Sequence, residues 1–260
     1  MSMEYKEGLV AFIDILGFSQ YVMNESNKEK VRSLFQFVEK FCYLFNCSPE
    51  LAQNVSFFSD SIVLATDNLY QLSISISIAE SYLKDNLELL FRGGITHGKY
   101  YYENNVMFGP AVIAAHNLET KANYSRVLID PVLNIAEEPE LLAFTDLDGY
   151  SVFNPYCLIL NHGCRYGGDD RVVYPEDPTL NLERVFSQCR NEIIEKIQQY
   201  NGNPVVEKYL WRIRPYNYTC NTLLRLPDGE VLYDKINYKM NKDLREILQK
   251  SIIDTDCLGL

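Results

Sequence analysis

The sequence predicts an α+β fold, a sandwich with a mostly antiparallel sheet covered by helices. Three observations lead there. Short apolar runs of strand length alternate with longer stretches of helical spacing. Two pairs of runs are separated by short polar turns, Ser59-Asp60-Ser61 and Glu103-Asn104-Asn105, as hairpins require. After about residue 140 the alternation gives way to a Gly-, Asp- and Pro-rich stretch and two helical segments. Residues 1–140 are therefore read as a core, and 141–260 as a C-terminal α/β extension packed on it.

The elements follow in order. Leu9 to Ile15 is a short apolar run fit for a buried strand. Gly17 follows, and Ser19 is placed to cap a helix. Between residues 28 and 46, Val31, Leu34, Phe35, Val38, Phe41 and Phe45 recur at helical spacing. Val55 to Ala65 reads as two strands about the first turn, and Leu69 to Leu90 as a helix despite its Ser-Ile alternation. Leu90 to Tyr102 and Val106 to Phe108 form the second hairpin. Ala111 to Ala122 is a helix and Arg126 to Ile129 a strand, while Pro131 suits the first position of another helix. Asp146 to Gly149 is a turn leading into a strand at 150–153. Residues 163–179 read as a long loop, with helices over Leu180 to Tyr200 and Val205 to Ile213.

Composition narrows the function classes. The 260 residues are 47% hydrophobic, enough for a real core. A net charge of −11 disfavours nucleic-acid binding, which relies on clustered Lys and Arg. No apolar run approaches the roughly 20 residues that cross a bilayer, so no direct membrane contact is expected. The N-terminus lacks the pattern of a secretory signal, which predicts a cytoplasmic location. Seven cysteines without paired spacing read as reduced thiols. His162 and Cys164 are a close pair that nothing else supports.

Three sets of residues carry chemistry. Asp14 ends an apolar strand, where a carboxylate needs a partner. Gly17, Phe18 and Ser19 follow at a helix start, where backbone amides favour anions. Asp60 sits at a hairpin tip, and meets Asp14 if that hairpin neighbours the first strand. Arg92 precedes Gly93 and Gly94, a setting read as able to admit a phosphate. Singly, each aspartate is ordinary turn or cap chemistry and Arg92 an ordinary surface cation. Together they offer hard ligands for divalent ions and a cation for an anionic tail.

The joint pattern resembles the class III nucleotide cyclase catalytic domain over roughly residues 8–135. Ala11 to Ser19 looks like the first metal motif, and Phe58 to Ala65 like the second metal hairpin, with Ser59 where many members have Gly. Phe91 to Gly98 resembles the Arg-containing strand that contacts the triphosphate, and Phe108 to Val112 the start of the dimer-interface helix. The resemblance implies two Mg²⁺ or Mn²⁺ ions per site held by Asp14, Asp60 and the Ile15 carbonyl. It also implies a homodimer with composite active sites.

Departures shape the substrate expectation. The positions that read a purine in adenylate and guanylate cyclases are Ser56 and Val106 here. The transition-state Asn and Arg fall at Ile113 and Asn117; Asn117 retains a hydrogen-bond donor. His116 is a candidate nucleotide contact, His97 is read as structural, and Lys121 and Arg126 are candidate replacement cations. The wording of Phe91 to Ile95, Leu118-Glu119 and Arg126 to Pro131 is similar to the bacterial Pycsar-type pyrimidine cyclases. That resemblance implies a UTP or CTP substrate, cyclic UMP or cyclic CMP as product, and a separate cyclic-nucleotide-activated effector protein in anti-phage defence. Two other readings stay open: a silent cyclase-like dimer, and a purine cyclase with an unusual base pocket. Gly167 to Asp170 superficially matches a polymerase-type metal hairpin but is read as a solvated loop.

Overall fold

The computed structural model describes residues 4–24, 26, 28–47, 54–135, 142–156, 165–166, 172–173, 178–228, 231–233 and 238–258. His162, Cys164 and Gly167 to Asp170 lie outside the described residues. The chain divides into two compact units, one of Met1–Glu137 with Thr145–Phe153, the other of Glu138–Phe144 with Asn154–Leu260.

In the first unit the chain runs β1 (Lys6–Leu16), α1 (Phe18–Met23), α2 (Lys28–Cys47), β2 (Asn54–Phe58), β3 (Ser61–Thr66), α3 (Leu69–Leu87) and β4 (Leu90–Glu103). β5 (Val106–Phe108), α4 (Pro110–Glu119) and β6 (Val127–Ile129) follow. The strands lie in the order β2-β3-β1-β4-β6, with β5 paired to β4. The pairs β2/β3, β3/β1 and β1/β4 are antiparallel, whereas β4/β6 is parallel. A βαββαβ path with strand order 2-3-1-4 is the ferredoxin-like topology, so the sheet is mostly antiparallel as expected.

Period-two alternation along β1 sets two faces. Ala11, Ile13 and Ile15 are fully buried towards one side, and α3 contributes Leu72, Ile76, Leu83 and Leu87 to the core. Each Ile or Leu among them stabilises by roughly 1.5–3 kcal/mol. Val10 and Phe12 point to the other side, packing with Val63 and Tyr100 against Ala111 and Ala115 of α4. Asp14 is next in that row.

Local chemistry explains the element ends. Asn68 caps α3, its side chain accepting from the Gln71 amide. Ser73 and Ser75 donate to the carbonyls of Leu69 and Gln71, so the Ser-Ile alternation stays helical with its buried hydroxyls satisfied. Glu88 turns left-handed and stops α3 before the expected Leu90. Asn104 and Asn105 both have positive φ and form the two-residue turn between β4 and β5. α4 ends at Glu119, three residues earlier than expected, and Pro131 opens only a 3₁₀ turn to Leu133.

β7 (Ala143–Thr145) spans the boundary between the units, and β8 (Ser151–Phe153) joins the first unit's sheet beside β6. In the second unit, Arg165–Tyr166 (β9) pairs with Val172–Val173 (β10) inside the stretch read as loop. α5 (Pro178–Gln199), α6 (Val206–Leu224) and α7 (Lys242–Ser251) pack on one another, and β11 (Val231–Tyr233) pairs with β12 (Tyr238–Lys239). Tyr216 and Phe186 are its largest fully buried side chains, and the Tyr216 hydroxyl donates to the Phe186 carbonyl. α6 continues past the expected end at Ile213, because Pro215 is accommodated within it and Thr219 bonds the Pro215 carbonyl.

Candidate active site

The first hairpin does neighbour the first strand. Asp14 lies opposite Ser61 on one side and opposite Arg92 on the other. The Ile15 amide donates to the Asp60 carbonyl at 2.8 Å, which fastens the hairpin tip to the end of β1. Ser59 reaches that tip with φ 54, a left-handed conformation that favours the glycine absent here. Among the described residues, no hydrogen bond or ion pair engages the Asp60 carboxylate.

Burial pushes the Asp14 carboxyl above its ordinary range. The Arg92 guanidinium opposes this shift, and the Asp60 charge adds to it. Two neighbouring carboxylates, one without a partner, form a donor set that fits a hard divalent cation. Asp14, Asp60 and the Ile15 carbonyl would hold it. No cluster of three or more His, Cys, Asp or Glu side chains occurs among the described residues, so water and substrate oxygens would have to complete the coordination.

Arg92 is engaged within the protein. Its Nε stands 3.4 Å from Asp14 Oδ2 and 2.5 Å from Glu119 Oε1. Glu119 ends α4 with only 4% of its side chain exposed. Its Oε1 makes the close approach without hydrogen-bond alignment and has no other partner. Burial raises the Glu119 carboxyl too, with Arg92 opposing and Asp14 adding. The adjacent glycines do not admit a phosphate. A Cβ at Gly94 would meet the Ala115 carbonyl at 2.3 Å and Leu118 Cβ at 2.5 Å, and one at Gly93 would meet the Phe12 carbonyl at 2.6 Å. That space is filled by α4 and β1, and the close seat of α4 is what delivers Glu119 to Arg92.

Gly17 has φ 77 and itself begins α1, so Ser19 lies inside the helix instead of capping it. The chain turns immediately after β1, leaving no room for a later start. α1 has six residues and no side-chain cap. Phe18 and Ser19 thus open α1 just beyond the end of β1, the strand that carries Asp14.

Ser56 pairs with Val63, which pairs with Phe12, so Ser56 shares the face that carries Asp14. Its hydroxyl donates to the Asn105 carbonyl at 2.7 Å. This bond ties Ser56 to the turn before Val106, bringing together the two positions expected to read the base. Val106 is exposed. The His116 ring meets Phe12 edge-on at 5.0 Å, on the same face. Asn117 is exposed, its carbonyl accepting from Thr120. Ile113 is likewise exposed.

Arg126 is not a spare cation. Its side chain is 1% exposed and bonds Asp146 and Asp148 at 2.5 Å each. Lys121 remains exposed. Glu119 was the functional candidate missing from the sequence reading. Its available signal was position: it follows Ala111 and Ala115 at four-residue steps, on the buried side of α4.

No family model and no curated protein matches the sequence. Among solved structures, the chain is similar to the guanylyl cyclase domain of the RhoGC fusion protein from the aquatic fungus Blastocladiella emersonii, at 13% identity and a TM-score of 0.46 over 59% of this chain and 97% of that one. It is also similar to the adenylyl cyclase CyaB from P. aeruginosa, at 15% identity and a TM-score of 0.43 over 58% and 96%. A third is the adenylate/guanylate cyclase/hydrolase from Silicibacter pomeroyi, at 12% and 0.43 over 58% and 96%. The fold assignment itself rests on strand order and register.

Proposed function

We propose that the chain is a nucleotide cyclase that converts UTP, or CTP, into the 3′,5′-cyclic monophosphate and pyrophosphate. The observation that carries this reading is the closeness of Asp60, fastened by its carbonyl to the Ile15 amide, to Asp14, with the Asp60 carboxylate unengaged among the described residues. In the reaction, the 3′-oxygen bonds the α-phosphorus while the bond from that phosphorus to the pyrophosphate oxygen breaks. Divalent cations at the aspartates supply the charge that makes the 3′-hydroxyl a better nucleophile and pyrophosphate a better leaving group. Arg92 presents a guanidinium beside them, and the chain at Gly17, Phe18 and Ser19 borders the phosphate path.

The pyrimidine choice is supported by the substrate-reading positions. Ser56 spends its proton on the Asn105 carbonyl, so it offers a base only acceptor lone pairs. Val106 offers no polar group. Neither reproduces the charged or polar pair of the purine enzymes. His116 of α4 meets Phe12 on the same face, and Asn117 follows it as an exposed hydrogen-bonding side chain. Exposed Phe58, Val106, Phe108 and Ile113 supply apolar surface for a second copy, in keeping with a homodimer that completes the site. The product would then serve as the signal to a separate effector protein in phage defence. No helix among the described residues is long and apolar enough to cross a membrane.

The test is incubation of the purified protein with each of ATP, GTP, CTP and UTP plus Mn²⁺, with products identified by mass. Cyclic UMP or cyclic CMP is expected. A purine product rejects the pyrimidine assignment, and no cyclic product from any substrate leaves a silent binding module. The engagement of Arg92 by two carboxylates is the observation that favours that second reading.

A further inference from the structure

Arg92 stands between two carboxylates of unequal standing. Asp14 faces it directly across β1 and β4 and contacts Nε at 3.4 Å. Glu119 approaches the same nitrogen at 2.5 Å from α4. Glu119 cannot turn to solvent, since it is almost fully buried, and its Oε1 has no hydrogen-bond partner. Its place is fixed by the contact of α4 with Gly94, where even a methyl group would collide with the helix backbone.

A directly opposed Arg and Asp on neighbouring strands would close into a charge-assisted pair if nothing else drew on the guanidinium. A cation binding Asp14 would then have to displace Arg92 first. We propose that Glu119 is a positioning residue that draws Arg92 off Asp14, leaving that carboxylate available to a divalent cation while keeping the guanidinium beside it. This inference rests on the reading of Asp14 as a metal ligand. It adds a third carboxylate that holds no metal itself and sets how strongly the other two can.

The experiment measures Mn²⁺ binding to the nucleotide-free protein by the loss of the free-ion electron paramagnetic resonance signal. Wild-type binding that disappears in Asp14→Asn establishes the ligand. In Glu119→Gln the dissociation constant is expected to rise about tenfold, the order for a buried carboxylate newly contested by a guanidinium. The double variant Glu119→Gln with Arg92→Gln is expected to recover most of that loss, because the competing cation is gone. Arg92→Gln alone is the reference: a merely structural Glu119 still loses affinity when Glu119→Gln is added to it, whereas one that acts through Arg92 does not. Should Glu119→Gln fail to fold, Glu119→Asp serves, with a shift of the same sign and smaller size. Unchanged Mn²⁺ affinity in Glu119→Gln, or no recovery in the double variant, overturns the inference while leaving the metal site standing. Absence of Asp14-dependent Mn²⁺ binding in the wild type overturns the metal reading itself and this inference with it.

Discussion

Two arginines in the first unit each meet a pair of carboxylates, and they differ in almost everything else. Arg126 is closed on itself: buried, and hydrogen-bonded at 2.5 Å to both Asp146 and Asp148. Arg92 is a third exposed and unequally shared, with its Nε 3.4 Å from Asp14 and 2.5 Å from Glu119. A buried arginine bonded to two carboxylates fastens structure, here tying the start of β6 to the 146–149 turn. The Arg92 cluster adds a second close carboxylate, Asp60, whose charge helps to raise Asp14, and under the proposed function a divalent cation would balance the two.

The widest gap between the two clusters is in turnover. Asp14→Ala and Asp60→Ala are each expected to lower cyclase activity about 10³-fold or more, the scale lost when a catalytic charge is removed. Neither should lower the melting temperature much, because Arg92 keeps Glu119 as its partner. Substantial product from either variant would place the metal elsewhere.

Stability should show the reverse. Arg126→Met removes the buried cation that Asp146 and Asp148 share, which costs about 3–5 kcal/mol. Arg92→Met leaves Glu119, whose raised carboxyl can take a proton instead, and the loss should be clearly smaller. Urea midpoints measure both. Equal losses would mean that the two clusters are equally structural.

The comparison also shows what the sequence could and could not say. Asp14 and Asp60 were legible because each ends or tips a strand of clear period, and the hairpin register needed only adjacency. Arg126 was read as a spare cation because its partners lie 20 and 22 residues on, across a turn no local pattern assigns to it. Glu119 had no visible role, since the link depends on α4 resting on the backbone of Gly94. Local signals also misplaced the end of α6: Pro215 reads as a breaker, but burial and packing against α5 and α7 hold the helix through it. Composition did not signal the β11/β12 pair or α7.

Acid titration tests the same contrast with opposite signs. The Arg126 hydrogen bond holds Asp148 below the ordinary carboxylate range. Its stabilisation is present above the unfolded value near pH 3.9 and is lost as pH falls through the lower folded value. Asp14 is raised, so its contribution is fully present below the unfolded value and is lost as pH rises through the folded one. Relative to wild type, Asp148→Asn should therefore be less stable near pH 7 and Asp14→Asn more stable. Both differences should close on acidification. Urea midpoints across that range decide it, and two differences of the same sign would dissolve the distinction between the clusters.

The smallest effect is expected at Ser59, beside the candidate metal ligand Asp60. A serine at φ 54 carries a left-handed penalty of about 1–2 kcal/mol. Glycine removes that penalty but gives back roughly 0.5–1 kcal/mol through the greater freedom of the unfolded chain. Ser59→Gly should thus stabilise the first unit by about 0.5 kcal/mol, visible as a small rise in urea midpoint. Strain stored beside the Arg92 cluster, and none of it beside Arg126, is what a functional hairpin predicts. A loss of stability on this substitution would mean that the serine side chain holds the tip, and that the hairpin is braced rather than strained.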